Sequence, residues 1–306
     1  MARVSIIIPS RNERFLTQTI EGILASAAGD IEVLAHIDEN PPDRVVDDKR
    51  VKYIYAERPA GMRGGIQACV KASTGQYLLK TDGHCLYMPG FDTALTADMQ
   101  DNWIVIPRRY SLDAEHWTIE QTNHKIRDYH YLCYPSPNKD HDHGMHGVEW
   151  PQRRQERADS KYDIDDTPSF QGSCWFMKRE WFTDFLDGMP SLNYGVFAQE
   201  PQQIGNATWL GGGEIKVNKK VWYAHLHKGK QYGRMYKISQ TEIINGHDWS
   251  AWYWMNNSWE KQIYPISWLI KKFWPMPTWD ARWTEDWDGS FEIWKKEFQQ
   301  WIKPAL

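Results

Sequence analysis

Apolar and polar positions follow two periods along the first hundred residues. Val4–Pro9 (VSIIIP) is a continuous apolar run closed by proline, the pattern of a strand buried on both faces. Asn12 stands where a helix cap would. Behind it Phe15, Leu16, Ile20, Ile23 and Leu24 share one helical stripe, running to about Ala28. Ile31–Asp38 predicts a second strand, ended by the Asn40-Pro41-Pro42 turn, and Val51–Glu57 a third. Gly61–Ser73 reads as a helix stopped by Gly75, Tyr77–Thr81 as a fourth strand and Trp103–Pro107 as a fifth. Strands separated by helical patterns predict βαβ units, so an α/β fold with a mostly parallel sheet flanked by helices. Ligands bind such sheets at the carboxyl ends of the strands. Pro9–Glu13, Asp38–Asn40 and Asp82–His84 therefore become the segments to inspect.

From about Ser111 to Pro168 the periodicity fades, and residues 110–168 read as a long loop or lid. Phe170–Phe185 predicts a strand and then a helix from about Arg179. Pro201–Leu210 predicts a helix closed by Gly211–Gly213, and Glu214–Leu226 a final strand pair. Eleven of the eighteen tryptophans lie between Trp249 and Trp301. This divides the chain into a domain over 1–240 and a Trp-rich, mainly helical extension over 241–306. Core docking is the plainer role for Trp252, Trp259 and Trp268; stacking in an acceptor groove is the other.

The 306 residues suit one large domain, or one domain with an appendage. A net charge of −4 argues against non-specific phosphate attraction as the main grip on a partner. The four cysteines, Cys69, Cys85, Cys133 and Cys174, form no CxxC pair and no disulfide framework. No run of about 18 apolar residues and no signal-peptide core occurs, so a cytoplasmic protein without a membrane span is expected.

The strongest chemical signal is Lys80-Thr81-Asp82-Gly83-His84-Cys85, at the end of the fourth strand. Asp82 and His84, with Gly83 between them, can turn toward one point. A carboxylate with an imidazole suits a divalent ion such as Mn²⁺. Late in the chain His225 and His227 alternate on a predicted strand, so one of them could complete the site. Glu200, before Pro201, is a carboxylate at a helix start.

The order of these segments resembles family 2 glycosyltransferases of the GT-A fold. Such enzymes open with a strand ending in Pro-x-x-Asn-Glu, here Pro9-Ser10-Arg11-Asn12-Glu13, and carry an acidic residue after strand two, here Asp38. Asp82-Gly83-His84-Cys85 resembles the Asp-x-His metal motif of the polypeptide N-acetylgalactosaminyltransferases, and Arg58-Pro59-Ala60-Gly61-Met62-Arg63 their Arg-x-Gly helix start. Phe197-Ala198-Gln199-Glu200 aligns with their Trp-Gly-Gly-Glu segment, and Ala224-His225-Leu226 with the strand bearing their third metal ligand. The likeness covers about residues 3–230. The Trp-Gly-Gly is absent, and no lectin domain is recognisable in these 306 residues, so peptide glycosylation is not implied.

The resemblance implies transfer of a sugar from a nucleotide diphosphate sugar, a UDP-sugar, to an acceptor hydroxyl. The acceptor could be a glycan, a small molecule or a hydroxymethylated DNA base. Asp82, His84 and His225 would hold Mn²⁺ or Mg²⁺. Pro9, Arg11, Glu13, Asp38, Arg58, Arg63 and Asp82 would surround the nucleotide, and Glu200 would act on the acceptor. Two other readings compete: a non-catalytic nucleotide-binding module, and a zinc hydrolase using His141, His143 and His146.

Overall fold

The computed structural model describes residues 2–121, 125–136, 144–189, 193–233 and 236–285. Its first half runs β1 (Val4–Arg11), α1 (Leu16–Ser26), β2 (Ile31–Asp38), β3 (Val51–Tyr55), α2 (Gly61–Ala72) and β4 (Tyr77–Thr81). Then come β5 (Cys85–Tyr87), α3 (Phe91–Ala97) and β6 (Trp103–Asp113). Asn12 does not cap α1. It has a positive φ of 51°, and its amide bonds Glu39 and Asn40 across the strand ends.

The region read as a long loop carries small elements: β7 (Thr118–Ile119), β8 (His130–Leu132), β9 (Gly147–Glu149), α4 (Pro151–Glu156) and β10 (Ile164–Asp166). Helix α4 buries no residue, so it has no apolar stripe for periodicity to find. β11 (Cys174–Lys178), a π-helical turn at Trp181–Phe185, and α5 (Glu200–Leu210) follow. The expected final strand pair is instead one strand, β12 (Glu214–His225), whose register shifts between Asn218 and Trp222. Pro107, which cannot donate to a ladder, sits opposite Asn218 at that irregularity. The chain then runs through α6 (Gly229–Tyr232), α7 (Gln240–Met255), α8 (Ile266–Lys272) and α9 (Arg282–Glu285).

The main sheet has ten strands, ordered β10-β12-β6-β11-β4-β1-β2-β3, with β5 on β12 and β7 on β6. The segment β3-β2-β1-β4 is parallel, and β6 runs parallel to β12. β11 enters antiparallel between β4 and β6. Alternate residues feed opposite layers. Ile6 and Ile8 pack toward α1 and α3, whereas Ile7 and Leu34 pack toward α2 and α5. Each such fully buried side chain contributes about 1.5–3 kcal/mol of transfer free energy.

Trp254, Ile270, Phe273, Trp279 and Trp283 from the C-terminal helices join that second layer. The Trp279 indole donates to the Leu132 carbonyl at 2.6 Å, and Trp209 packs edge-on to Phe273. Trp252, Trp259 and Trp268 pack against the same layer, whereas Trp274 is exposed. Trp287, Trp294 and Trp301 lie outside the described residues. No helix among the described residues is long and apolar enough to cross a membrane.

Candidate active site

Three strand ends meet at one pocket of about 870 Å³. Asp82 leaves β4 with its N–H still bonded to the Ser173 carbonyl at 3.0 Å. β5 then pairs antiparallel with β12, setting Cys85 opposite His225. That register brings His225 beside His84, with ring centroids 4.8 Å apart. His225 Nε2 lies 3.3 Å from Asp82 Oδ2, and His84 Nε2 lies 3.8 Å from the same oxygen. Among the described residues this trio is the one group of three with ligand atoms all within 4.8 Å.

The donor set fits a divalent ion. One carboxylate with two imidazoles suits borderline metals, and bonds of about 2.0–2.2 Å to one centre allow ligand atoms these distances apart. Asp82 divides its oxygens. Oδ2 faces the histidines, while Oδ1 accepts from Lys80 Nζ at 2.8 Å. Burial alone would raise the Asp82 carboxyl; the Lys80 charge and the His225 hydrogen bond hold it well below the usual range. Burial pushes His225 down to about 3, leaving it neutral and able to ligate.

Behind His84, Glu13 accepts from Nδ1 at 3.0 Å and from Lys228 Nζ at 2.5 Å. Gly83 makes room for this carboxylate, since a Cβ there would come within 2.7 Å of Glu13 Cγ. On the other flank Glu200 opens α5 and is buried, with 2% exposure. Its Oε1 accepts from the Trp175 indole at 2.6 Å, and Oε2 lies 3.6 Å from Lys80 Nζ. Burial raises the Glu200 carboxyl, opposed by Lys80 and the Trp175 bond. Gly172 lies flat against it, because a Cβ there would meet Oε2 at 2.4 Å.

The sequence profile described as Glycosyl transferase family 2 matches residues 5–186, more than half of the chain. The chain belongs to glycosyltransferase family 2. No curated protein sequence matches it. Among solved structures it is similar to GalNAc-T7 with UDP, GalNAc and Mn²⁺, at 15% identity and a TM-score of 0.64. That match covers 98% of this chain and 57% of the other, so the chain spans little more than half its length. It is also similar to S. aureus TarS 1-349 in complex with UDP-GlcNAc, at 12% identity and a TM-score of 0.53, covering 85% of this chain and 68% of that one. At such identities the likeness shows the fold, which is GT-A.

Within this family 2 fold, Pro9, Arg11, Glu13, Asp38, Asp82, His84, Glu200 and His225 all line the pocket. Two expected nucleotide residues do not. Arg58 is exposed and outside the pocket lining. Arg63 is fully buried beneath it. Its guanidinium donates to the Ala198 carbonyl and to Gln203, and stacks 4.5 Å from the Tyr194 ring centroid. Arg63 thus anchors the segment leading into α5.

Asp38 lines the wall, but both its oxygens already accept backbone N–H groups, from Ala60 at 2.9 Å and Gly61 at 3.0 Å, at the start of α2. Arg11 is ion-paired with Glu39 and stacks 5.1 Å from the Tyr236 ring centroid. His227 lies beyond the end of β12, exposed at the pocket rim, so strand alternation does not govern it. His146 packs against His247, while His141 and His143 lie outside the described residues. No tryptophan lines the pocket among the described residues.

Lys80 lies in the strongest sequence motif without a role assigned to it there, and sequence reasoning passed over Trp175. The signal for Lys80 was present: one charged residue in an otherwise apolar, buried strand, YLLKT.

Proposed function

We propose that this chain transfers a sugar from a UDP-sugar to an acceptor hydroxyl, with Mn²⁺ or Mg²⁺ held by Asp82, His84 and His225. The observation that carries the reading is the carboxylate–imidazole trio beside a buried glutamate in one strand-end pocket. The UDP and Mn²⁺ in the GalNAc-T7 structure and the UDP-GlcNAc in the TarS structure support the choice of donor and metal.

Asp82, His84 and His225 would hold the ion, which when bound would supply Lewis-acid stabilisation to the departing diphosphate. Glu13 orients His84, and Lys80 neutralises the other oxygen of Asp82. Pro9, Arg11 and Asp38 line the pocket at the carboxyl ends of β1 and β2, where the nucleotide would sit. Glu200 serves the acceptor side. With Oε1 held by Trp175, Oε2 accepts the proton of the attacking hydroxyl as the glycosidic bond forms. The acceptor is a glycan, a small molecule or a hydroxymethylated DNA base, three classes that differ in the product's mass.

The test is nucleotide release from a panel of UDP-sugars with Mn²⁺, with Mg²⁺ and with EDTA, followed by mass spectrometry of candidate acceptors. Metal-dependent UDP release is the expected result. UDP binding with no release from any donor would instead favour a non-catalytic nucleotide-binding module. Full activity in EDTA would remove the metal from the reading.

A further inference from the structure

β4 is buried at every position, and an ammonium placed in it must find acceptors for its protons. Lys80 finds three. Its Nζ donates to Asp82 Oδ1 at 2.8 Å and to the Gly172 carbonyl, and lies 3.6 Å from Glu200 Oε2. The side chain is 1% exposed. Register explains the convergence. Lys80 stands opposite Trp175 in the antiparallel pairing of β4 with β11, so both side chains rise from the same face. Both reach Glu200, the indole at Oε1 and the ammonium toward Oε2. Asp82, two residues beyond Lys80, returns to that face.

We propose that Lys80 is a positioning residue that ties the metal-binding carboxylate of Asp82 to the acceptor-side carboxylate of Glu200. The inference rests on the transferase reading and adds a coupling to it. One cation between two buried carboxylates fixes their separation. Without it the two negative charges would face each other across a poorly solvated gap, and Glu200 would turn away or take up a proton. Lys80 makes this link from the pocket floor, leaving Asp82 Oδ2 for the metal.

Lys80→Met keeps the length of the side chain and removes its charge; Lys80→Gln also removes the charge but leaves a donor, should the apolar variant not fold. Each is compared with wild type, with Glu200→Gln and with the corresponding double variant, after a thermal melt confirms folding. We expect kcat to fall by about 10–100-fold. With kcat read at saturating Mn²⁺, the calorimetric UDP dissociation constant should stay within about twofold of wild type, while Mn²⁺ affinity shifts because Lys80 holds the other oxygen of Asp82. The double variant should be no slower than Glu200→Gln alone, because the lysine acts through that carboxylate. Unchanged kcat in a folded variant overturns the proposal. So do losses that multiply in the double variant, or a rate loss explained wholly by weaker Mn²⁺ binding. Wild-type protein that bound neither Mn²⁺ nor UDP would sink the transferase reading instead, before any Lys80 variant is compared.

Discussion

Glu13 Oε2 and His84 Nδ1 are 3.0 Å apart, a hydrogen bond that sets which ring nitrogen faces the pocket. When Nδ1 donates to Glu13, Nε2 is the ring nitrogen left facing Asp82, 3.8 Å away. Burial would raise the Glu13 carboxyl, but His84 and Lys228 hold it below its ordinary value, so it stays an acceptor. Partners of this kind orient metal-binding histidines. Glu13→Gln should weaken Mn²⁺ binding by about 10–100-fold. Calorimetric titration of the purified variant checks this; unaltered affinity would mean that Glu13 serves only Lys228.

Removal of any one member of the trio should abolish metal-dependent turnover. Asp82→Ala, His84→Ala and His225→Ala should each lose Mn²⁺ binding and retain a cooperative melt, since these side chains line an open pocket and lie outside the apolar clusters. His227→Ala should bind Mn²⁺ like wild type, because His227 is exposed and outside the trio. Loss of binding in His227→Ala with retention in His225→Ala would reverse the ligand assignment.

Glu200→Gln keeps the acceptor oxygen for the Trp175 indole and removes the basicity. The kcat should fall by about 10²–10⁴-fold while UDP affinity stays unchanged. The product anomer, read by NMR, separates two roles. Inversion accords with a base, and retention with a carboxylate that orients the substrate. Wild-type turnover with an inverted product would eliminate Glu200 as the base; Asp165 and Asp166, on β10, lie outside the pocket lining and are paired with Tyr129, Lys216 and Lys272.

Asp38 and Arg63 hold backbone together, so their loss should register in stability. Asp38→Ala strips the acceptors from the Ala60 and Gly61 N–H groups and should cost about 1–2 kcal/mol, as loss of a helix cap does. Arg63→Met leaves the Ala198 carbonyl and Gln203 without their buried donor, at about 1–3 kcal/mol. Urea unfolding at neutral pH measures both. An Arg63→Met variant with an unchanged midpoint but weakened UDP binding would return Arg63 to the nucleotide site.

Acid should destabilise the fold through His36 and His130. Both are about 3% exposed and held below the ordinary histidine value by burial, His130 also by the charges of Arg109 and Arg127. Asp38 partly offsets the shift at His36. A depressed folded value means the unfolded chain binds more protons below about pH 6.5, so stability is full above that and lost as pH falls. The slope is about 1.4 kcal/mol per pH unit for each group between its folded and unfolded values. Urea midpoints at about pH 7.5 and about pH 5 test it; equal midpoints would show that neither histidine stays neutral in the fold.

Local periodicity determined much of the first half. β2 and β4 run over the residues that the apolar pattern marks, and α2 ends one residue short of its expected Ser73. These elements bury one stripe or both faces, and burial writes itself into sequence as a repeat. Polar elements left no such trace, which is why α4 and the short strands around it read as loop. Asp82 and His84 were legible because they are two residues apart at a strand end.

The partners of that pair were settled elsewhere. His225 lies 143 residues from Asp82, and the antiparallel register of β5 on β12 brings it in. Lys80 and Trp175 meet Glu200 because β11 enters antiparallel beside β4 with those two residues opposite each other. Arg63, which sequence assigned to the nucleotide, went to the carbonyl of Ala198 instead, 135 residues away. Periodicity fixes which face of a strand a side chain takes. It says nothing of which distant strand lies alongside, or in what register, and those hydrogen-bonded pairings, made only on folding, decided which charges share the pocket.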